Sequence, residues 1–170
     1  AGALSILIRL SLHGIELDQR WEDVTKPIRK REVMYDQPFL TAHFAYALAR
    51  SEHRTAYEEF LRGLEEHAGE ANAPMRHLWL AYALPLCRGM GAHADNDFQL
   101  AAQLLGETRP HWQALGGSHA QRDLFEQIYI DALIRSGHAS DARPLLEARA
   151  AARPGVRAHK VELRALRDGA

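Results

Sequence analysis

The sequence predicts an all-α protein made of antiparallel helix pairs, and three observations carry that expectation. Apolar residues recur at intervals of three and four along almost the whole chain, with no run of strict alternation long enough for a strand. Glycine, proline and aspartate punctuate the pattern and leave short connections, which set consecutive helices side by side. One spacing of small and bulky residues also returns in three helix pairs. With 170 residues, 46% hydrophobic and 25% charged, the chain is long enough to bury a core, and a single helical-repeat domain over 1–170 is expected.

The first helix is expected from Ala3 to His13, stopped by Gly14. Asp18 reads as the N-cap of the second, with Glu22 nearby and Trp21, Val24, Ile28 and Val33 directed inward; Pro27 inside it should kink or shorten it. The third starts after Asp36 with Pro38 in its first turn, where no backbone N–H is needed. Its Phe39, Ala42, His43, Tyr46, Ala47 and Arg50 form a mostly small apolar stripe suited to close helix contact. The fourth, His53 to Ala68, keeps Ala56, Phe60 and Leu64 on one face and turns Glu58, Glu59, Arg62, Glu65 and Glu66 to water. Gly69 to Pro74 reads as a loop. Five more helices are expected: Met75 to Gly89, Asp97 to Leu115 with an interruption near Pro110, Ser118 to Ser136, Ser140 to Arg153, and Val156 to Leu166.

The repeated spacing is clearest from Asp123 to Pro154, where Gly137 ends one helix, Ala142 enters the next, Leu146 follows a turn later and Pro154 closes the unit. That step of about 32 residues is close to the tetratricopeptide period of roughly 34. Gly89, Phe98, Ala101 and Leu105 repeat the offsets, and Phe44, Ala56 and Phe60 do so more weakly. Small residues let paired backbones approach while the larger one fills the neighbour's groove, and no unit can cover its own apolar face alone. The expectation is therefore a stack of antiparallel pairs, a tetratricopeptide-like right-handed superhelical array.

Charge excludes some partners. Lys and Arg number 21 against 22 Asp and Glu, a formal charge of -1, so no general field favours nucleic acid or an anionic membrane surface. No apolar run is long enough to span a bilayer, and the apolar start Ala3 to Leu12 is broken by Arg9. A single cysteine, Cys87, allows no internal disulfide and no CxxC motif, which agrees with a cytoplasmic protein.

The most informative stretch is Gly116-Gly117-Ser118-His119-Ala120-Gln121-Arg122-Asp123. A glycine supplies a left-handed helix stop, and Ser118 with Gln121 three residues on reads as a capping box. Asp123 suits the positive end of the helix that follows, whereas Arg122 does not unless it has a partner; a salt bridge to a neighbouring helix is the structural reading, a ligand contact the functional one. Farther along, Asp123, Gln127, Asp131 and Arg135 recur every four residues as a polar stripe, with Asp131 and Arg135 spaced to pair. If this is the first helix of a repeat pair, that stripe lines the inner groove; otherwise it faces solvent.

Ten histidines invite a metal site, yet none forms HExxH, a pair at four-residue spacing or a Cys–His set, so no metal ligand is assigned. His43, between Ala42 and Phe44, reads as a hydrogen-bonded core histidine; His119, at a helix start beside Arg122, is the stronger functional candidate. Gly117-Ser118-His119 lacks the strand that a nucleophile elbow needs, Cys87 reads as a buried small hydrophobe, and no phosphate loop or dinucleotide fingerprint occurs. No catalytic residue and no cofactor are assigned.

Three segments together resemble the C-terminal half of the tetratricopeptide repeat protein 38 family: Leu17-Asp18-Gln19-Arg20-Trp21, the run from Phe39 to Ala49, and Gly116 to Asp123 with Leu124-Phe125-Glu126-Gln127. The resemblance covers nearly the whole chain and implies a helical-repeat protein that continues upstream of Ala1. Where that family has an acidic residue before a helix glycine and a Gly-Asp-Tyr connector, this chain has Arg88-Gly89 and Asp95-Asn96-Asp97-Phe98.

The functional expectation is a scaffold that binds a peptide or protein in the groove lined by the first helices of each pair, with His119, Arg122, Asp123, Gln127, Asp131 and Arg135 as contact residues. The alternative is a small-molecule binder or enzyme with a pocket at the Ser118–Asp123 helix start, His119 acting as acid or base and Arg122 holding an anion. Homo-oligomerisation through exposed terminal helices is a third reading.

Overall fold

The computed structural model describes residues 2–31 and 34–152. Its helices are α1 (Gly2–Leu12), α2 (Asp18–Arg29), α3 (Pro38–Arg50), α4 (Arg54–Glu70), α5, α6 (Phe98–Thr108, extended by a 3-10 turn Arg109–His111), α7 (His119–Arg135) and α8 (Ala139–Ala152). Helix α5 runs through three stretches, Ala73–Leu78, a π-helical Trp79–Ala83, and Leu84–Ala94. The fold is all-helical, and among the described residues there is no strand and no helix long and apolar enough to cross a membrane. Val33 and the helix expected over Val156 to Leu166 lie outside the described residues.

Helix α3 sits at the centre. A one-sided stripe was expected, but every residue from Thr41 to Ala49 is buried, because α1, α2, α4 and α5 all pack on it. Consecutive helices from α4 to α8 pack on one another, and α1 lies against both α3 and α7. The largest buried side chains, Trp21, Trp79, Tyr46, Phe60 and Phe125, come from five different helices and join these contacts into one core.

Buried polar groups in α3 need partners, and each finds one. The Thr41 hydroxyl donates to the Met34 and Gln37 carbonyls at 3.1 and 3.0 Å. His43 donates from Nδ1 to the Phe39 carbonyl (2.9 Å), which fixes the tautomer, so Nε2 accepts from the Ser5 hydroxyl of α1 (3.0 Å). It is the hydrogen-bonded core histidine that its neighbours suggest. Burial, only partly offset by the bond to Phe39, depresses its pKa from 6.5 to about 4.

The helix limits depart from expectation where tertiary contacts or proline chemistry intervene. Asp18 is the first residue of α2 rather than its cap, Leu17 holding the cap position without a side-chain bond; α2 ends at Arg29, shortly beyond Pro27. The loop expected over Gly69 to Pro74 shrinks to Ala71 and Asn72, since Gly69 stays in α4 and Pro74 enters the first turn of α5, capped by Asn72 accepting from Met75 N at 3.2 Å. Helix α5 also runs past Gly89 to Ala94. The π stretch lets the Leu84 N–H bond to the Trp79 carbonyl, and Pro85, which has no N–H, follows without breaking the helix. On α4 the expected polar face is found, with Glu58, Glu59, Arg62, Glu65 and Glu66 exposed and Phe60 and Leu64 buried.

Close approach explains the glycines of α5. A Cβ on Gly89 would sit 3.1 Å from Leu105 Cγ and 3.2 Å from Leu104 Cβ of α6, the small-residue contact read from the repeat spacing. A Cβ on Gly91 would overlap the Tyr57 phenol of α4.

Two predictions follow from this packing. Gly91→Ala should destabilise by about 1–3 kcal/mol through overpacking, whereas Gly69→Ala, with nothing within 4 Å of a new Cβ, should be neutral or gain up to about 1 kcal/mol in urea denaturation. Because the folded pKa of His43 lies below its unfolded value, its contribution is complete above about pH 6.5 and is lost as pH falls towards about 4. That contribution is on the order of 3 kcal/mol, and unfolding free energies measured between those pH values should fall more steeply in the parent protein than in His43→Gln.

Candidate functional site

The loop before α7 is held from below by aromatic packing. Trp112 is buried, donates from Nε1 to the Thr108 hydroxyl at 3.1 Å, and meets Phe125 edge-on at 5.6 Å between ring centroids. The Leu115 carbonyl accepts from Phe39 N at 3.2 Å, tying the loop to the start of α3. Gly116 and Gly117 then both take positive φ, 91° and 74°, and a Cβ on Gly117 would lie 2.7 Å from Phe39 Cδ2. Position 117 therefore demands glycine twice over, by dihedral and by space.

At the helix start the capping box is complete. Gln121 N donates to the Ser118 hydroxyl (3.3 Å) and Ser118 N donates to Gln121 Oε1 (2.7 Å). Arg122 does not form the inter-helix salt bridge expected of it; Nη1 donates to the carbonyls of Gly116 (3.2 Å) and Gly117. A cation at the positive end of a helix is tolerated here because two loop carbonyls turn their negative ends towards it.

Asp123 is the residue that joins α7 to α8. Its carboxylate receives Arg149 Nη1 at 2.6 Å and Nη2 at 3.3 Å, together with Gln127 Nε2 at 2.6 Å. Both partners of the ion pair are mostly buried, with side chains 12% and 13% exposed. A parallel pair fixes the other wall, where Arg109 grips Glu126 through Nε (2.9 Å) and Nη2 (2.7 Å), a hydrogen bond that raises the Arg109 pKa.

Between these walls lies a cavity of about 570 Å³, into which His119, Arg122 and Asp123 converge with Arg109, Glu126 and Arg149; Trp112 and Leu145 add apolar lining. Among the described residues, three guanidiniums face two carboxylates, a formal balance of +1, and the α7 N-terminus adds positive potential. The space suits an anionic group beside an apolar one. Gln127 contributes only by holding Asp123.

The other two stripe residues go elsewhere. Asp131 accepts from Nε2 of His93 (2.7 Å), whose Nδ1 accepts the Tyr46 hydroxyl (3.3 Å), while Arg135 stands 3.9 Å from Asp131 and 3.8 Å over the Phe98 ring. The Asp131–Arg135 pairing was legible from spacing, but no spacing joins His93 of α5 or Tyr46 of α3 to them. Arg88, which replaces an acidic residue in the resembling family, forms an ion pair with Glu65 of α4. Cys87 is fully buried and its thiol pKa is driven well above the ordinary value by desolvation, so it offers no nucleophile.

No protein-family model matches the chain, and no solved structure matches it.

Two of the three arginines lining the cavity should behave differently on truncation. Arg149→Ala removes the cation from a largely buried carboxylate and should cost roughly 3 kcal/mol, whereas Arg122→Ala exchanges bonds to loop carbonyls for water and should cost at most about 1 kcal/mol. Chemical denaturation of both variants checks the ordering; equal losses would contradict these assignments.

Proposed function

We propose that this protein is a helical-repeat binding module of the tetratricopeptide type, and that it takes a peptide or protein segment carrying a carboxylate beside an apolar side chain. The single observation that carries the reading is the convergence of His119, Arg122 and Asp123 on one sizeable cavity of net positive lining. In this reading α3/α4, α5/α6 and α7/α8 are the repeat pairs, supported by the Gly89–Leu105 approach and by full burial of Ala142 at the entry to α8. The resemblance of the Gly116–Asp123 run to the tetratricopeptide repeat protein 38 family supports the same assignment.

The inner face that first helices would line is not open throughout, because α1 packs across α3 and α7. Binding is therefore assigned to the cavity between the α7 start and α8. Arg122 is the contact for the anion, since its partners among the described residues are the neutral carbonyls of Gly116 and Gly117. His119 donates a further hydrogen bond at the rim, and Trp112 with Leu145 accepts the apolar group. A small amphiphilic anion is the second reading, favoured by a cavity within the roughly 300–1,000 Å³ typical of small-molecule sites.

Calorimetric titration with short peptides ending in a free carboxylate after leucine or phenylalanine, against the same peptides amidated, tests the proposal. The free-carboxylate peptides should bind at least about tenfold more tightly, a preference that Arg122→Gln abolishes and added salt weakens. Equal affinity for both peptide forms, or an unchanged preference in Arg122→Gln, sinks it.

A further inference from the structure

Farther along the polar stripe of α7, about two turns from Asp123, the structure holds a second polar cavity that is built differently. Its floor is buried: the Tyr46 ring and the His93 ring are 2% and 5% exposed. The hydrogen bonds there have one direction. Asp131 is an acceptor, so His93 carries its proton on Nε2, and Nδ1 must accept from the Tyr46 hydroxyl. Burial pushes the Tyr46 phenol pKa up to about 12, so Tyr46 stays protonated. Three helices, α3, α5 and α7, thus contribute to one chain, Tyr46 to His93 to Asp131.

This chain borders a cavity of about 170 Å³, below the roughly 300 Å³ at which drug-sized sites begin. Two guanidiniums and two carboxylates line it: Arg50 and Arg135, Glu16 and Asp131. Arg50 is held by a single bond from Nη1 to the Ala94 carbonyl (3.3 Å), and its Nε is buried with no partner among the described residues. Asn96 also lines the cavity, just past the C-terminal end of α5 with φ 64°, where glycine is the usual occupant of a left-handed helix end. Asparagine there adds an amide to the cavity rim that glycine could not supply.

We propose that this cavity is a binding site for a small zwitterion of the α-amino-acid type. A ligand bearing only a carboxylate would set its charge against Asp131 and Glu16, and one bearing only an ammonium would face Arg50 and Arg135. A zwitterion meets both signs with opposite charge, and the cavity is formally neutral, as is such a ligand. Arg50 and Arg135 receive the carboxylate; Asp131 and Glu16 receive the ammonium; Tyr46 and Asn96 set the orientation. His93, which also lines the cavity, holds Asp131 in place.

The test uses the full chain and glycine, alanine and serine as probes, with acetate and methylamine as single-charge controls, read by calorimetry and by thermal shift. At least one amino acid should bind at millimolar concentration or below and raise the melting temperature, with both controls at least about tenfold weaker. Arg135→Gln, at an exposed side chain that leaves the core intact, should weaken the amino acid about tenfold or more, and Tyr46→Phe should do the same while keeping the ring. Arg122→Gln in the first cavity should leave this binding unchanged. The proposal is overturned by no binding from any of the three, by acetate binding as tightly as the amino acids, or by loss of binding in Arg122→Gln, which would seat the ligand in the other cavity.

Discussion

Burial of α3 on every side is the constraint from which the remaining structure follows. A helix enclosed by neighbours can present only apolar atoms or polar atoms whose hydrogen bonds are made. Ala42, Ala45 and Ala47 meet the first requirement by being small enough for α1, α2, α4 and α5 to close in. Thr41, His43 and Tyr46 meet the second by reaching, respectively, the segment before α3, α1 and α5. Each of these bonds joins α3 to a different neighbour, so polar satisfaction in the centre also sets how the outer helices are placed.

Helix α7 shows the complementary situation at the edge of the core. Its inner residues Leu124, Phe125 and Ile128 are fully buried, while its polar line is divided between two neighbours. Arg149 of α8 takes Asp123, and His93 of α5 takes Asp131. The polar line of one helix therefore borders two cavities, one at the helix start with a net positive lining among the described residues, the other charge-balanced. The first is held by side chains of consecutive helices and the second by helices distant in sequence, so neither is a loop feature that could drift independently of the core.

Much of the local structure was legible from residue order. The capping box of Ser118 and Gln121, the glycine stop before it, the exposed acidic face of α4 and the close approach at Gly89 each depend on neighbours a turn away or on one repeated spacing, and such interactions leave a pattern in the chain. The misread features have other causes. Asp18 looked like a cap because its residue type is a good one, but backbone geometry gave that position to Leu17. Gly69 and Pro74 looked like breakers, yet the first stays in a helix end and the second suits a first turn.

The amino-acid sequence by itself determined the helical class, the start of α7 and the coincidence of His119, Arg122 and Asp123 at that start, because capping and periodicity act over a few residues. Only the tertiary structure decided that α3 would be enclosed rather than striped, that Arg122 would turn to two loop carbonyls, and that Asp131 would meet His93 and Tyr46. Those outcomes depend on which helix faces which across 38 and 47 residues of chain. No periodicity encodes such pairings, since they arise only when separate apolar faces close on one another and leave particular polar atoms within reach.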